Sequence, residues 1–303
     1  MLAGVSMTLP SLESLRCFDA AARLLRFRAA AKAVALTPAA LGHRIRQLED
    51  ELGVRLFERT TRSVRLTSAG LALVPYARAC LQAAEACGRA ARGEIGPAPI
   101  ELVMGTRHEL GISWLTPLLR PLREQHPQVT IHLYFGSGPD LLLRVRTLEI
   151  DCAITSARLG DPAFDGIAIQ PEHYVFVGAP KLLRRAPLKS AEDALAHTLI
   201  DADVDLPLFR YWRDGAGEES MPFGALLRVG TIGAIRDLVV AGEGVAVLPT
   251  YLVKQDLTER RLQKLFPEVT AAHDFFRLVF RREDPRRPIY ETLAASLAKA
   301  PLQ

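Results

Sequence analysis

Residues Leu36–Leu66 read LTPAALGHRIRQLEDELGVRLFERTTRSVRL. Thr37 carries the side-chain oxygen of a helix N-cap, and Pro38 suits a first helical position, whose N–H has no intrahelical partner in any case. A helix is expected to start there. Leu41, Ile45, Leu48 and Leu52 then recur at helical spacing as one apolar stripe, and Gly53 stands where a helix commonly ends on a left-handed residue. The opposite face carries Pro38, Ala39, Gly42, His43 and Arg46. Small residues followed by donors are what a helix entering a major groove requires, because bulk at its N-terminal end would hold it off the base edges. Beyond Gly53, Val54–Leu66 alternates apolar and polar residues around Thr60-Thr61. Two short strands joined by a turn follow, with Arg55, Arg59, Arg62 and Arg65 placed for phosphates or an adjacent minor groove.

Alone, an amphipathic helix with an arginine face is usually a solvated surface. Here it has company. Leu12, Leu15, Phe18, Ala22 and Leu25 form a helical stripe upstream, and an alanine-rich helix runs from about Phe27 to Ala35, which completes a three-helix unit with a basic wing. The chain has 303 residues, 49% of them hydrophobic, enough for two or three domains with cores of their own. Its charge is unevenly placed: residues 1–95 hold 14 Lys and Arg against 8 Asp and Glu, the remainder 24 against 26. The basic character therefore belongs to the N-terminal part, as expected if that part meets a polyanion, double-stranded DNA, and the rest does not.

The segment LPSLESLRCFDAAARLLRFRAAAKAVALTPAALGHRIRQLEDELGVRLFERTTRSVRLTSAG (Leu9–Gly70) resembles, almost without gaps, the DNA-binding domain of LysR-type transcriptional regulators, nearest to their glycine-cleavage-activator subgroup. The resemblance is strong from Leu9 to about Arg92 and weaker beyond. It implies a winged helix-turn-helix (residues 1–67) whose DNA-binding residues are Thr37, Pro38, Ala39, Gly42, His43, Arg46, Arg59 and Arg62. It further implies a linker helix for dimerisation (68–94), a two-lobed α/β effector domain resembling periplasmic binding proteins (95–303), a homodimer or homotetramer on pseudo-palindromic promoter sites, and RNA polymerase as a partner. Two departures stand out. Arg26 replaces the serine that usually precedes the second helix, so that cap is lost, and Gly42 stands where a serine is frequent. Glycine inside a helix costs up to about 1 kcal/mol of propensity and removes a hydroxyl from the reading face, so operator preference is expected to differ.

Ser68–Arg92 is alanine-rich, with Leu73, Cys80, Cys87 and Ala91 as a narrow seam suited to a second helix or to a small-residue core contact. Pro75 is expected to bend this helix or mark its first turns. Gly93–Pro99 reads as a hinge. Ile100–Thr106, Val129–Phe135 and Ile150–Thr155 read as strands alternating with helices, which predicts a parallel sheet whose strand ends and helix N-termini face a ligand. Lobe I is expected at 95–170 and 270–303, lobe II at 171–269, the latter with strands near Tyr174–Val177 and Thr198–Asp201 and a Gly242–Pro249 stretch similar to the family's glycine-rich turn. Thr106, Arg107, Gly136, Ser137, Thr155, Ser156, Asp201, Gly230 and Thr231 fall at strand ends or helix starts and are the candidate effector site. Hydroxyls there serve equally well as ordinary caps. If Arg107 faces the cleft, the effector is a carboxylate or amino-acid-like metabolite; a solvent-facing Arg107 is the alternative.

No GxSxG, Walker loop, HExxH or Cys/His cluster occurs, so an enzyme is not expected and no cofactor or metal is implied. A purely architectural DNA-binding protein leaves some 200 residues unexplained. Cys17, Cys80, Cys87 and Cys152 lack metal-ligand or CxxC spacing and are expected to be reduced; Cys152 is alone in the C-terminal part, so a thiol switch there would need a cysteine from another subunit. No apolar run approaches a membrane span and no signal peptide is evident, which predicts a cytoplasmic protein with no membrane partner.

Overall fold

The computed structural model describes residues 9–59, 64–93, 99–157, 159–205, 207–217 and 221–302. The expected Thr60-Thr61 turn, Arg62 and hinge residues 94–98 lie outside these.

Three helices open the chain: α1 (Leu12–Leu24), α2 (Phe27–Ala33) and α3 (Pro38–Leu52). The start of α3 follows from its sequence, since Thr37 Oγ1 accepts from Ala40 N at 3.1 Å, and its end does too, with Gly53 at φ 69°. Leu41, Ile45 and Leu48 are fully buried against Leu15, Phe18 and Ala21 of α1. The expected α1 stripe is too long, however. Leu12 is half exposed, and Leu25 lies beyond the helix as its left-handed cap at φ 47°. Arg26 makes no side-chain cap for α2, as the lost serine implies.

Strands β1 (Phe57–Arg59) and β2 (Val64–Leu66) pair antiparallel as the wing. Glu49 fixes where the wing leaves α3. Its buried Oε1 accepts from Leu56 N at 2.8 Å and Phe57 N at 3.2 Å, while Oε2 meets Arg55 at 3.1 Å. Thr67 then caps α4 (Ser68–Ala91), in which Gly70 is required: a Cβ there would stand 2.2 Å from Leu56 O. Helix α4 runs unbroken through the buried Pro75. Its Val74 and Ala77 pack into the three-helix core, but Cys80 and Cys87 are exposed, so the core-contact reading of those two is excluded.

Two five-stranded sheets follow. The first comprises β3 (Ile100–Thr106), β4 (Val129–Phe135), β5 (Cys152–Thr155), β6 (Phe164–Glu172) and, from the end of the chain, β12 (Asp274–Arg281), in the order β4-β3-β5-β12-β6. Its helices are α5 (His108–Leu110), α6 (Thr116–Gln125), α7 (Gly138–Arg146) and the C-terminal α12 (Arg287–Ala298). The second comprises β7 (Tyr174–Gly178), β8 (Thr198–Asp201), β9 (Ala225–Arg228), β10 (Val245–Pro249) and β11 (Gln263–Lys264), in the order β11-β7-β10-β8-β9, with helices α8 (Pro180–Arg185), α9 (Phe209–Gly215), α10 (Ile232–Ala241) and α11 (Thr250–Thr258). A wholly parallel sheet is not what forms. Strands β3, β4 and β5 are parallel, whereas β12 runs antiparallel to both β5 and β6. The cause is topological, because the chain leaves lobe I through β6 and returns through β12 in the opposite sense. Helices α5 and α6 join through a π turn at Gly111–Leu115, where Thr116 Oγ1 donates to Gly111 O at 2.7 Å and Ser113 Oγ to Glu109 O at 2.7 Å. Among the described residues no helix is long and apolar enough to cross a membrane.

Glu49→Ala should orphan two buried N–H groups and lower stability by about 2 kcal/mol or more. Calorimetry of the intact chain checks this; a melting temperature equal to wild type would refute the role given to Glu49.

Candidate functional site

On α3, Thr37, Pro38, Ala39, His43 and Arg46 are exposed on one face, and Gln47 joins them. Gly42 is on that face but buried. The nearest atom to a Cβ added there is Arg46 Nη1 at 3.7 Å, so the arginine folds over the glycine and covers it. Arg59 stands at the wing's start with its guanidinium carbon 4.3 Å above the Phe27 ring; Phe27 in turn meets Phe57 edge-on at 5.7 Å. Burial lowers the Arg59 pKa from its usual value, with Glu49 acting in the other direction. Arg26 and Arg28, both exposed at the start of α2, extend the basic surface; of the two, only Arg26 stands out in the sequence, where it replaces the usual serine.

Between the lobes lies a cavity of about 560 Å³. It is lined by seven of the nine candidate residues, Arg107, Gly136, Ser137, Thr155, Ser156, Gly230 and Thr231. Arg107 faces this cleft, one-fifth exposed, and its Nη1 donates to Ser156 Oγ at 3.0 Å with Glu172 Oε1 at 3.8 Å. Burial opposes its charge, and Glu172 with Tyr251 and Tyr174 more than offsets that, so the guanidinium is held above its ordinary pKa. Ser137 accepts from Asp140 N at 3.4 Å, and Thr231 from Ala234 N at 3.4 Å, so each caps a helix at the rim of the cleft.

Thr106 and Asp201 are not in the cleft wall. Thr106 is fully buried and bonds to Arg107 O at 3.4 Å; its methyl packs so closely on Gly111 that a Cβ there would come within 2.5 Å. Asp201, also fully buried, accepts from Ala202 N (2.6 Å), Leu208 N (3.2 Å) and Phe209 N (2.8 Å). It organises the loop into α9. Burial raises its pKa against the pull of those three amides.

Sequence reading missed Glu109, Tyr174, Arg210, Tyr211 and Asp274, which complete the wall. Glu109 Oε1 crosses the cleft to accept from Gly233 N at 2.9 Å. Tyr174 and Tyr211 stack with ring centres 3.8 Å apart. No motif marks these residues: α9 is set in place by Phe209 and Trp212 in the lobe II core, and Tyr211 points cleftward as a result.

Asp201→Ala should leave three amides without their acceptor and destabilise the protein by about 2 kcal/mol or more. Thermal denaturation tests it, and an unchanged melting curve would refute the structural role given to Asp201.

The family model "Bacterial regulatory helix-turn-helix protein, lysR family" matches residues 12–71, and "LysR substrate binding domain" matches residues 99–301. The chain is 29% identical over 279 residues to the glycine cleavage system transcriptional activator of Escherichia coli (strain K12), covering 91% of this chain and 88% of that protein. It is 30% identical over 291 residues to the hydrogen peroxide-inducible genes activator of Dickeya chrysanthemi, covering 89% of each. Among solved structures, full-length LysG from Corynebacterium glutamicum with bound effector Arg superposes with a TM-score of 0.67 at 18% identity, covering 95% of this chain and 96% of that one. A three-helix reading head with a wing, a connecting helix and a two-lobed domain with a polar cleft, matched over nearly the whole chain, place this protein in the LysR family of transcriptional regulators.

Proposed function

We propose that the protein is a cytoplasmic regulator that binds pseudo-palindromic promoter DNA as a dimer or tetramer, engages RNA polymerase, and responds to a small polar effector held between its lobes without a metal or other cofactor. The observation that carries the DNA-reading part is the exposed face of α3, small at its N-terminal end and ending in His43 and Arg46, beside a basic wing. Arg46 reads bases, while Arg26, Arg28, Arg59 and Arg62 meet phosphates. Arg46→Ala is expected to lower affinity for operator at least tenfold with little change on random DNA. Arg62→Ala should weaken both and flatten the salt dependence by about one unit. Fluorescence anisotropy on both DNAs decides; equal losses from Arg46→Ala would reject base reading.

The assembly reading rests on α4. Tyr76, Cys80, Ala83, Cys87 and Ala90 are exposed at alternating spacings of four and three residues, the pattern of a seam between two helices. Two reading heads so joined would sit about 34 Å apart, one turn of DNA. Light scattering is expected to give a dimer or tetramer, and a monomer at micromolar concentration would overturn this.

The effector part is supported by the cleft and by the arginine bound to the LysG neighbour. Thiol sensing by Cys152 has no support: it is fully buried in β5, and burial, with Asp151 adding to it, pushes its thiol far above the ordinary range. Ligand is expected to shift the placement of the reading heads rather than remake the DNA-binding face.

A further inference from the structure

The two segments that carry the chain between the lobes each place a histidine on the outside of the crossing. Glu172 ends β6 and stands directly opposite Asp274, the first residue of β12. One step further from the ladder on each segment brings His173 opposite His273. Because side chains alternate along extended chain, the two imidazoles turn away from the side on which the carboxylates lie. Both histidines are exposed, whereas Glu172 and Asp274 are buried, and neither imidazole lines the cleft. Their ring centres are 5.6 Å apart, with the planes at 37°.

The backbone beside each histidine is fixed. Thr250 N donates to His173 O at 2.8 Å, and Ala272 N donates to Tyr211 O at 2.7 Å, so both crossing segments are tied to lobe II. Phe275, exposed on the same side as the histidines, meets the His273 ring edge-on at 5.5 Å and limits where it turns. Among the described residues no side-chain hydrogen bond or ion pair engages either imidazole.

Direct contact between the rings accounts poorly for this arrangement, since aromatic pairs favour offset-parallel or edge-to-face geometry and this pair has neither. The spacing is that of two imidazoles sharing one ion. A metal–nitrogen bond of about 2.1 Å puts each ring centre roughly 3.2 Å from the metal, so at a tetrahedral angle the centres stand about 5.2 Å apart. Rotation of the exposed rings about χ2, a broad torsion, brings one nitrogen of each to that common point. Imidazole nitrogen suits zinc, nickel or copper, whereas magnesium and calcium take oxygen. Among the described residues no group of three or more His, Cys, Asp or Glu is arranged for a metal. Water therefore completes the coordination, and the ion exchanges with solvent.

We propose that His173 and His273 form a surface site for a divalent cation of the zinc and nickel class, which staples the two inter-lobe segments to each other. The site is separate from the cleft and does not depend on what the cleft binds. A lobe rotation that parts the two segments has to break a metal bond, so the bound ion favours lobe placements that keep them together.

Calorimetric titration of the intact protein with zinc chloride and with nickel chloride tests this, magnesium chloride serving as control. Zinc and nickel should each bind at micromolar concentration, one ion per chain, and magnesium should not. His173→Gln and His273→Gln, both at the surface, should each weaken binding at least tenfold; should one of them fail to fold, the other is read alone. The double variant should fall within a few-fold of the single ones, because either substitution already breaks the bridge. No binding of zinc or nickel below millimolar concentration overturns the proposal. Binding that both substitutions leave intact does so too, as when the exposed Cys80 and Cys87 or another histidine hold the ion. A loss from only one of the two folded variants also overturns it, since a bridged ion needs both rings.

Discussion

The chain crosses between the two lobes at one place, the ends of the antiparallel pair of β6 and β12. Strand β12 is anchored in the lobe I core by Phe276, Leu278, Val279 and Phe280, all fully buried, while one residue beyond β6 the chain enters β7 and the lobe II core. Each lobe has its own apolar cluster, the chain passes between them at His173 and at the return segment before Asp274, and Tyr251 of α11 packs on the lobe I core against Phe276. A ligand in the cleft can act only by having different affinities for different lobe placements. Glu109, reaching across to Gly233 N, ties the lobes on the cleft side and is part of what any such shift must rearrange.

The reading head is fastened to lobe I by charge and by one apolar knob. Arg78 of α4 meets Asp19 of α1 at 2.8 Å and Asp151 at 3.7 Å; Asp151 also accepts from Val103 N at 2.7 Å and Arg286 at 2.8 Å, and Arg286 is paired with Asp284 at 2.7 Å. Leu148, in the left-handed region at φ 60°, packs against the core of the reading head. Between these contacts lies a cavity of about 840 Å³. In such a chain of alternating charges, removing one member strands its neighbours, a loss larger than the net value of the pair itself. Asp151 immediately precedes β5, and β5 is bonded to β12, so the strand bearing half of the hinge is the immediate neighbour of the strand that follows the contact with the head.

How far the sequence discloses this depends on whether a feature is written locally. The start and end of α3 are, in Thr37, Pro38 and Gly53, and so are the alternating strands β3, β4 and β7. The turns at Leu25, Ala35 and Leu148 are not: all three have positive φ without glycine, which no local preference predicts. Strand β6 was invisible because its alternation is broken by Gly166 and Pro171. Thr106 and Asp201 illustrate the opposite error, since a polar residue at a strand end marks either a ligand contact or an internal acceptor, and only the burial of the neighbouring loop distinguishes them. Glu172 and Asp274 had no local signal at all; their meeting is a matter of register between strands about a hundred residues apart.

The cleft wall divides accordingly into two kinds of residue. Its hydroxyls and helix starts are already committed within the fold, Ser137 and Thr231 as caps, Thr155 as acceptor for Ala157 N at 3.2 Å, and the amide of Gly233 as donor to Glu109. What is left to discriminate one small molecule from another is a set of long side chains, Arg107 and Arg210 together with Tyr174 and Tyr211, the last two also part of the lobe II packing. Such a wall can change its ligand by exchanging those side chains while the caps, the hinge and the contact with the reading head stay as they are, which is how one architecture accommodates effectors of different chemistry.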